Sequence, residues 1–184
     1  MTKNIDAFFP LKRGRAHEVS GASSYGFSFA LGARQDGDLF WLREDWLPET
    51  LNPHGFSQYL DPGRVLIAKA QNQIELLGAA EEALRSGAVK LVVLELSKPL
   101  DFTPARRLNL AAETGKSTAL CILPEGMGSN AAETRWYCSP VYHETKRAAQ
   151  RWSLTKNKAG PTGSWVVRWD QNNHRLEVLS SSGE

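Results

Sequence analysis

The segment Val89–Leu96, with Leu91-Val92-Val93-Leu94 at its centre, is a continuous apolar run between two amphipathic stretches. A strand apolar on both sides must be covered on both sides, which parallel sheets achieve with helices on each face. Upstream, Gln71–Arg85 carries Ile74, Leu77, Ala80 and Leu84 at helical spacing, with Gly87 where a C-terminal cap belongs. Downstream, Thr103-Pro104 reads as a hydroxyl N-cap with Pro at the first helical position of a helix ending at Gly115. Ser117–Leu123 reads as the following strand. The expectation is an α/β domain around a mainly parallel central sheet flanked by helices.

The rest of the chain fits this frame. Ala16–Ser20 reads as a strand, Gly21–Gly26 as a turn and Phe27–Gln35 as a helix stopped by Asp36-Gly37-Asp38. Leu39–Leu42 is a second apolar strand, residues 48–62 a loop with a helical turn near Phe56, and Arg64–Ala68 a third strand. After Pro124 the style changes to short strands at Thr134–Cys138, Arg151–Thr155, Ser164–Trp169 and Arg175–Leu179, a β-meander at least partly antiparallel. Trp165, Val167 and Trp169 share one face at period two and are expected in the core, whereas Trp46, between Asp45 and Pro48, is expected to be exposed. Residues 1–15, with Phe8-Phe9-Pro10, read as an N-terminal arm outside the core, residues 16–179 as one domain, and residues 180–184 as a frayed tail.

Composition narrows the class. With 184 residues, 41% hydrophobic and 23% charged, the chain is a single globular domain large enough to need no disulfide or metal staple. No stretch approaches the ~18 consecutive apolar residues of a membrane span. The N-terminus lacks the basic-then-apolar pattern of a signal peptide, and two Cys are too few for a disulfide framework, so a cytoplasmic protein is expected. Net charge is +2, with both ends mildly basic around an acidic centre. That distribution suits a nucleic-acid face, an acidic partner or a solvated mixed surface. The four His are dispersed and neither Cys has ligand spacing, so no metal site is expected.

One motif is nearly complete. Gly21-Ala22-Ser23-Ser24-Tyr25-Gly26-Phe27-Ser28 has the spacing of the phosphate-binding loop GxxxxGK[ST], between a strand and a helix. Gly21, Gly26 and Ser28 are in register, but Phe27 stands at the lysine position. Without that cation a nest of backbone N–H groups binds a triphosphate poorly, and phosphoryl transfer loses its charge neutralisation. The other reading of the same residues is a tight strand-to-helix turn with Phe27 packed inside.

Gly21–Ser28, then Leu39–Asp45, then Ser86–Glu95 follow in the order and spacing of the RecA recombinase core, which the chain resembles over roughly residues 14–179. The resemblance implies a RecA-like fold extended by the antiparallel meander. It places Glu95 at the Walker B carboxylate and Asp45 near the catalytic Glu, and it likens Lys156-Asn157-Lys158 to lysines that reach a neighbour's nucleotide across a filament interface. Pro124 stands where the recombinase has a nucleotide-sensing Gln. A RecA-like shape without the loop lysine is similar to the ImuA branch of the ImuA/SulA-like family. Gly14–Val19, Glu81–Val89, Ala131–Trp136, Arg151–Leu154 and Ser164–Asp170 also resemble that branch.

This resemblance implies a non-catalytic accessory protein in SOS-type DNA damage response, supporting error-prone translesion synthesis beside a polymerase-like ImuB protein and an error-prone DNA polymerase. No cofactor is then expected. Three surfaces are candidates for contact: Phe8 and Phe9 for a neighbouring domain, Lys156 and Lys158 for a RecA filament, and Lys146, Arg147, Arg151, Arg168 and Arg175 for DNA or an acidic partner. The alternatives are a SulA-like division inhibitor binding FtsZ, and an ATPase with an atypical phosphate loop, which alone would require ATP and Mg²⁺.

Overall fold

The computed structural model describes residues 4–142, 144–145 and 147–182. Its strands are β1 (Ala16–Ser20), β2 (Leu39–Glu44), β3 (Val65–Ala70), β4 (Leu91–Glu95), β5 (Thr118–Ile122), β6 (Thr134–Pro140), β7 (Gln150–Asn157), β8 (Gly163–Asp170) and β9 (Arg175–Ser182). The helices are α1 (Ser24–Ala33), α2 (Pro53–Phe56), α3 (Gln73–Ser86) and α4 (Phe102–Gly115). All nine strands form one sheet in the order β3-β2-β4-β5-β1-β6-β7-β8-β9. Pairing is parallel from β3 to β6 and antiparallel from β6 to β9. The expected mixed α/β sheet is therefore present, and no helix among the described residues is long and apolar enough to cross a membrane.

Strand alternation divides the core in two. Val19, Trp41, Val93, Leu120, Trp136, Trp152, Trp165 and Val167 face α1, while Ala16, Leu42, Val92, Leu94, Ala119 and Cys121 face α3 and α4. Trp165 and Val167 are buried and Trp169 packs at the rim, as their shared period predicts. Trp46 is 59% exposed, also as expected.

Several boundaries differ from expectation. Helix α1 starts at Ser24, not Phe27, so the second half of the glycine motif is already helical. Helix α4 has Asp101 rather than Thr103 at its N-cap position, without a side-chain capping bond, and Pro104 sits in its first turn, where backbone N–H groups have no helical partner to lose. On α3 the buried stripe is Leu76, Ala80 and Leu84, whereas Ile74 is 84% exposed. Two residues before Leu76, Ile74 lies some 200° around the helix from it, at 100° per residue, and so leaves the core face. Gly87 does cap α3, at φ 68°. Strand β9 runs to Ser182, so residues 180–182 belong to the sheet and are no tail.

The largest correction concerns the N-terminus. Residues 5–11 are not an external arm, because Ile5, Phe9 and Leu11 are buried in the core. Helix α1 reaches β6 and β7 through Phe27, and the N-terminal segment extends the cover over β7 and β8. Phe9 sits 5.4 Å from Phe27 and 5.1 Å from Trp152 between ring centroids, and Phe8 lies 5.6 Å from Trp165. Each such aromatic pair adds about 1 kcal/mol to the burial itself.

His17 fastens this segment from beneath. Its Nε2–H donates to the Lys12 carbonyl at 2.9 Å, which leaves Nδ1 to accept from the Thr134 hydroxyl at 2.7 Å. Thr134 Oγ1 in turn accepts from Trp136 Nε1 at 3.2 Å. Burial lowers the imidazole from 6.5 to about 4, against smaller raising effects of the Lys12 carbonyl and Glu133. Between those values the unfolded chain binds the extra proton. The stabilisation is therefore complete above pH 6.5 and is lost as pH falls to about 4, a loss of roughly 3 kcal/mol by linkage. Denaturant titrations across that window should show this slope in the wild type and a flatter one in His17→Gln.

Candidate functional site

Strand β1 lies between β5 and β6, and the chain leaves it first toward β2 and returns past it from β5 to β6. That makes the carboxyl end of β1 a topological switch point, where open α/β sheets form their ligand crevices. A cleft of about 340 Å³ opens there, lined by Gly21, Ser24, Tyr25, Glu95, Ser97 and Pro124 among others. The sequence-predicted loop and Glu95 are thus brought together.

The turn is tight because β6 runs against it. Gly21 adopts φ +95°, and a Cβ there would lie 2.2 Å from the Cys138 carbonyl oxygen. Gly26 is less constrained, since a Cβ there would meet the end of the Gln150 side chain, 2.7 Å from Nε2, which can shift aside. Packing against backbone therefore accounts for Gly21. The Ser23 N–H donates to the Cys138 carbonyl at 3.0 Å and the Ser24 N–H to the Gly21 carbonyl at 3.1 Å, so two N–H groups of the turn are already engaged.

Phe27 points away from the cleft. It is fully buried, with ring centroids at 4.7 Å from Trp152 and 5.2 Å from Trp136. Ser28, at the position of the magnesium-binding hydroxyl, is also fully buried and donates to the Ser24 carbonyl at 2.8 Å within α1.

Glu95 is held from three directions. Trp41 Nε1 donates to its Oε2 at 2.7 Å, Arg43 Nε lies 2.9 Å from Oε2, and the Tyr25 hydroxyl donates to Oε1. Arg43 also donates to the Glu49 carbonyl at 2.6 Å. Both charged side chains are nearly inaccessible, at 3% for Arg43 and 7% for Glu95. Burial, then the Glu95 carboxylate, push the Tyr25 phenol well above its ordinary value, so it remains a donor. Asp45, by contrast, is exposed, while its neighbour Glu44 turns inward to accept from Ser97 Oγ at 2.5 Å. This donor set does not fit a magnesium–nucleotide complex: the cation is missing, the hydroxyl is turned inward and the carboxylate is committed.

Lys156 and Lys158 act on their own chain. Lys156 Nζ donates to the Asn130 carbonyl at 2.8 Å and the Ala132 carbonyl at 3.0 Å, and Lys158 Nζ to the Ala131 carbonyl at 2.8 Å. Burial lowers the Lys156 ammonium from its usual value, reinforced by Arg135 and Lys158. Glu18 holds the same loop, accepting from the Ser129 N–H at 2.6 Å and from Arg135 Nε at 2.8 Å. Reaching a neighbouring subunit would require both lysines to abandon these carbonyls.

Arg151, Arg168 and Arg175 of the proposed basic third share one face of β7–β9, where carboxylates partly neutralise them. Arg168 pairs with Glu177 at 2.6 Å and Arg175 with Asp170 at 3.9 Å. Arg147 is exposed and Arg151 is half-buried, while Lys146 lies outside the described residues. Phe9 is committed to the core and Phe8 packs at its edge.

Tyr25, Arg43 and Glu18 escaped the sequence reading. Period-two alternation in β2 puts Arg43 on the Trp41 face, and an arginine inside an otherwise apolar strand signals a buried carboxylate partner. In comparisons with known proteins, the chain matches no family model and no curated sequence.

Proposed function

We propose that this protein is a RecA-like accessory protein of the ImuA type, without ATPase activity. It would support error-prone translesion synthesis in an SOS-type damage response through contacts with a polymerase-like ImuB protein and an error-prone polymerase. The glycine turn leading from the central strand β1 into α1, with β4 beyond β5, supports the RecA-like part of this reading.

The observation that carries it is the inward commitment of every group a nucleotide site would need: Phe27 in the aromatic core, Ser28 on the Ser24 carbonyl, and Glu95 on Arg43, Trp41 and Tyr25. A switch-point cleft without charge to neutralise a triphosphate suits a scaffold that works by binding. The self-bound Lys156 and Lys158 lend no support to a RecA-filament contact through those lysines.

The test is genetic and biochemical. Deletion should lower damage-induced mutation frequency, and tagged protein purified after DNA damage should retain the polymerase-like partner. Filamentous cells on overproduction, with mutation frequency unchanged by deletion, would instead indicate a division inhibitor.

A further inference from the structure

The opposite end of the parallel sheet carries a second feature, independent of the glycine turn. Strands β4, β5 and β1 are adjacent and parallel, so their starting residues lie together, at the end away from Gly21. There Lys12, Arg13 and Arg15 from the segment before β1, Lys90 before β4, and Lys116 between α4 and β5 line a cleft of about 480 Å³ with Glu113 as the acid among them. Backbone bonds fix the three segments to one another: the Gly14 N–H donates to the Ser117 carbonyl and the Thr118 N–H to the Lys90 carbonyl, both at 2.8 Å.

These cations are unequally employed. Arg15 meets Glu113 at 3.1 Å, and Lys90 donates to the Gly87 carbonyl at 2.8 Å. Lys12 is 61% exposed and 3.8 Å from Glu133. The Arg13 and Lys116 side chains are exposed and make no hydrogen bond or ion pair among the described residues. The lining contains no apolar or aromatic side chain. A protein partner's interface is built around buried apolar and aromatic anchors, which this cleft does not offer. Nucleic-acid interfaces are more polar and much more positive.

We infer that this cleft is a sequence-independent contact for the phosphodiester backbone of nucleic acid, with Arg13 and Lys116 as its principal free charges. Three neighbouring strands spread the cations over roughly 10 Å, enough to meet several backbone charges spaced about 3.4 Å along each strand of a duplex. With no aromatic platform for bases, duplex binds at least as well as single strand.

The experiment is fluorescence anisotropy of the full chain with a labelled duplex oligonucleotide, the corresponding single strand, and poly-glutamate as competitor. At about 50 mM salt the wild type should bind the duplex. Arg13→Ala, Lys116→Ala should weaken that binding about tenfold and reduce the log–log salt slope by about 2. Both side chains are exposed, so circular dichroism should be unchanged. Absence of binding, unaltered affinity in the double variant, or displacement by poly-glutamate as effective as by unlabelled DNA would each overturn the inference. So would loss of binding in Arg147→Ala, Arg151→Ala while the Arg13/Lys116 variant still binds. None of these readouts depends on the polymerase partners or on ATP.

Discussion

Phe27→Lys, which restores the phosphate-loop consensus, is expected to unfold the protein rather than give it a nucleotide site. The ring is fully buried against Phe9, Trp136 and Trp152. Removing a buried Phe costs about 3–5 kcal/mol, and placing an ammonium in that apolar space adds a desolvation penalty of several kcal/mol more. A domain with ~5–15 kcal/mol of total stability does not survive that comfortably. Phe27→Leu preserves apolar character and should remain folded, with a loss of about 1–2 kcal/mol. Denaturant titration of the two variants distinguishes them. A folded Phe27→Lys protein with wild-type stability would show that position 27 turns toward the cleft.

Glu95→Ala is the second large effect. It leaves the Arg43 guanidinium buried without its carboxylate, and strips Trp41 Nε1 and the Tyr25 hydroxyl of their acceptor. Breaking a buried pair from one side costs about 3–5 kcal/mol, most of it from the stranded charge. Arg43→Met, Glu95→Leu removes both charges and should recover much of the loss, with a coupling of about 2–3 kcal/mol in the double-mutant cycle. The Glu49 carbonyl that Arg43 also holds, and the Trp41 Nε1–H and Tyr25 hydroxyl that lose Glu95, limit the recovery. Additive single-mutant effects would mean that the two side chains do not act as a pair.

The fold was legible wherever the burial period was unambiguous. Leu91–Leu94, apolar on both faces, read correctly as a parallel strand, and Trp165, Val167 and Trp169 as one inward face. Legibility failed where tertiary contacts decide. Phe8-Phe9-Pro10 has no helical or strand period, so nothing local says that Phe9 fills the gap beside α1 over Trp152. Ile74 is apolar yet lies off the buried stripe, a distinction that needs the helix docked. At the candidate site, spacing located the glycine turn and Glu95 but not their partners. The Arg43–Glu95 pair joins residues on separate strands, and Lys156 reaches the 129–132 carbonyls across a loop, contacts that only the folded sheet creates.

The central claim is that the β1–α1 turn has become a packing device. Titration calorimetry of the purified wild type with ATP and Mg²⁺ tests it most directly. The account predicts no saturable heat, and the same flat trace for Ser28→Ala. Stoichiometric binding in the wild type that disappears in the Ser28→Ala protein would contradict it.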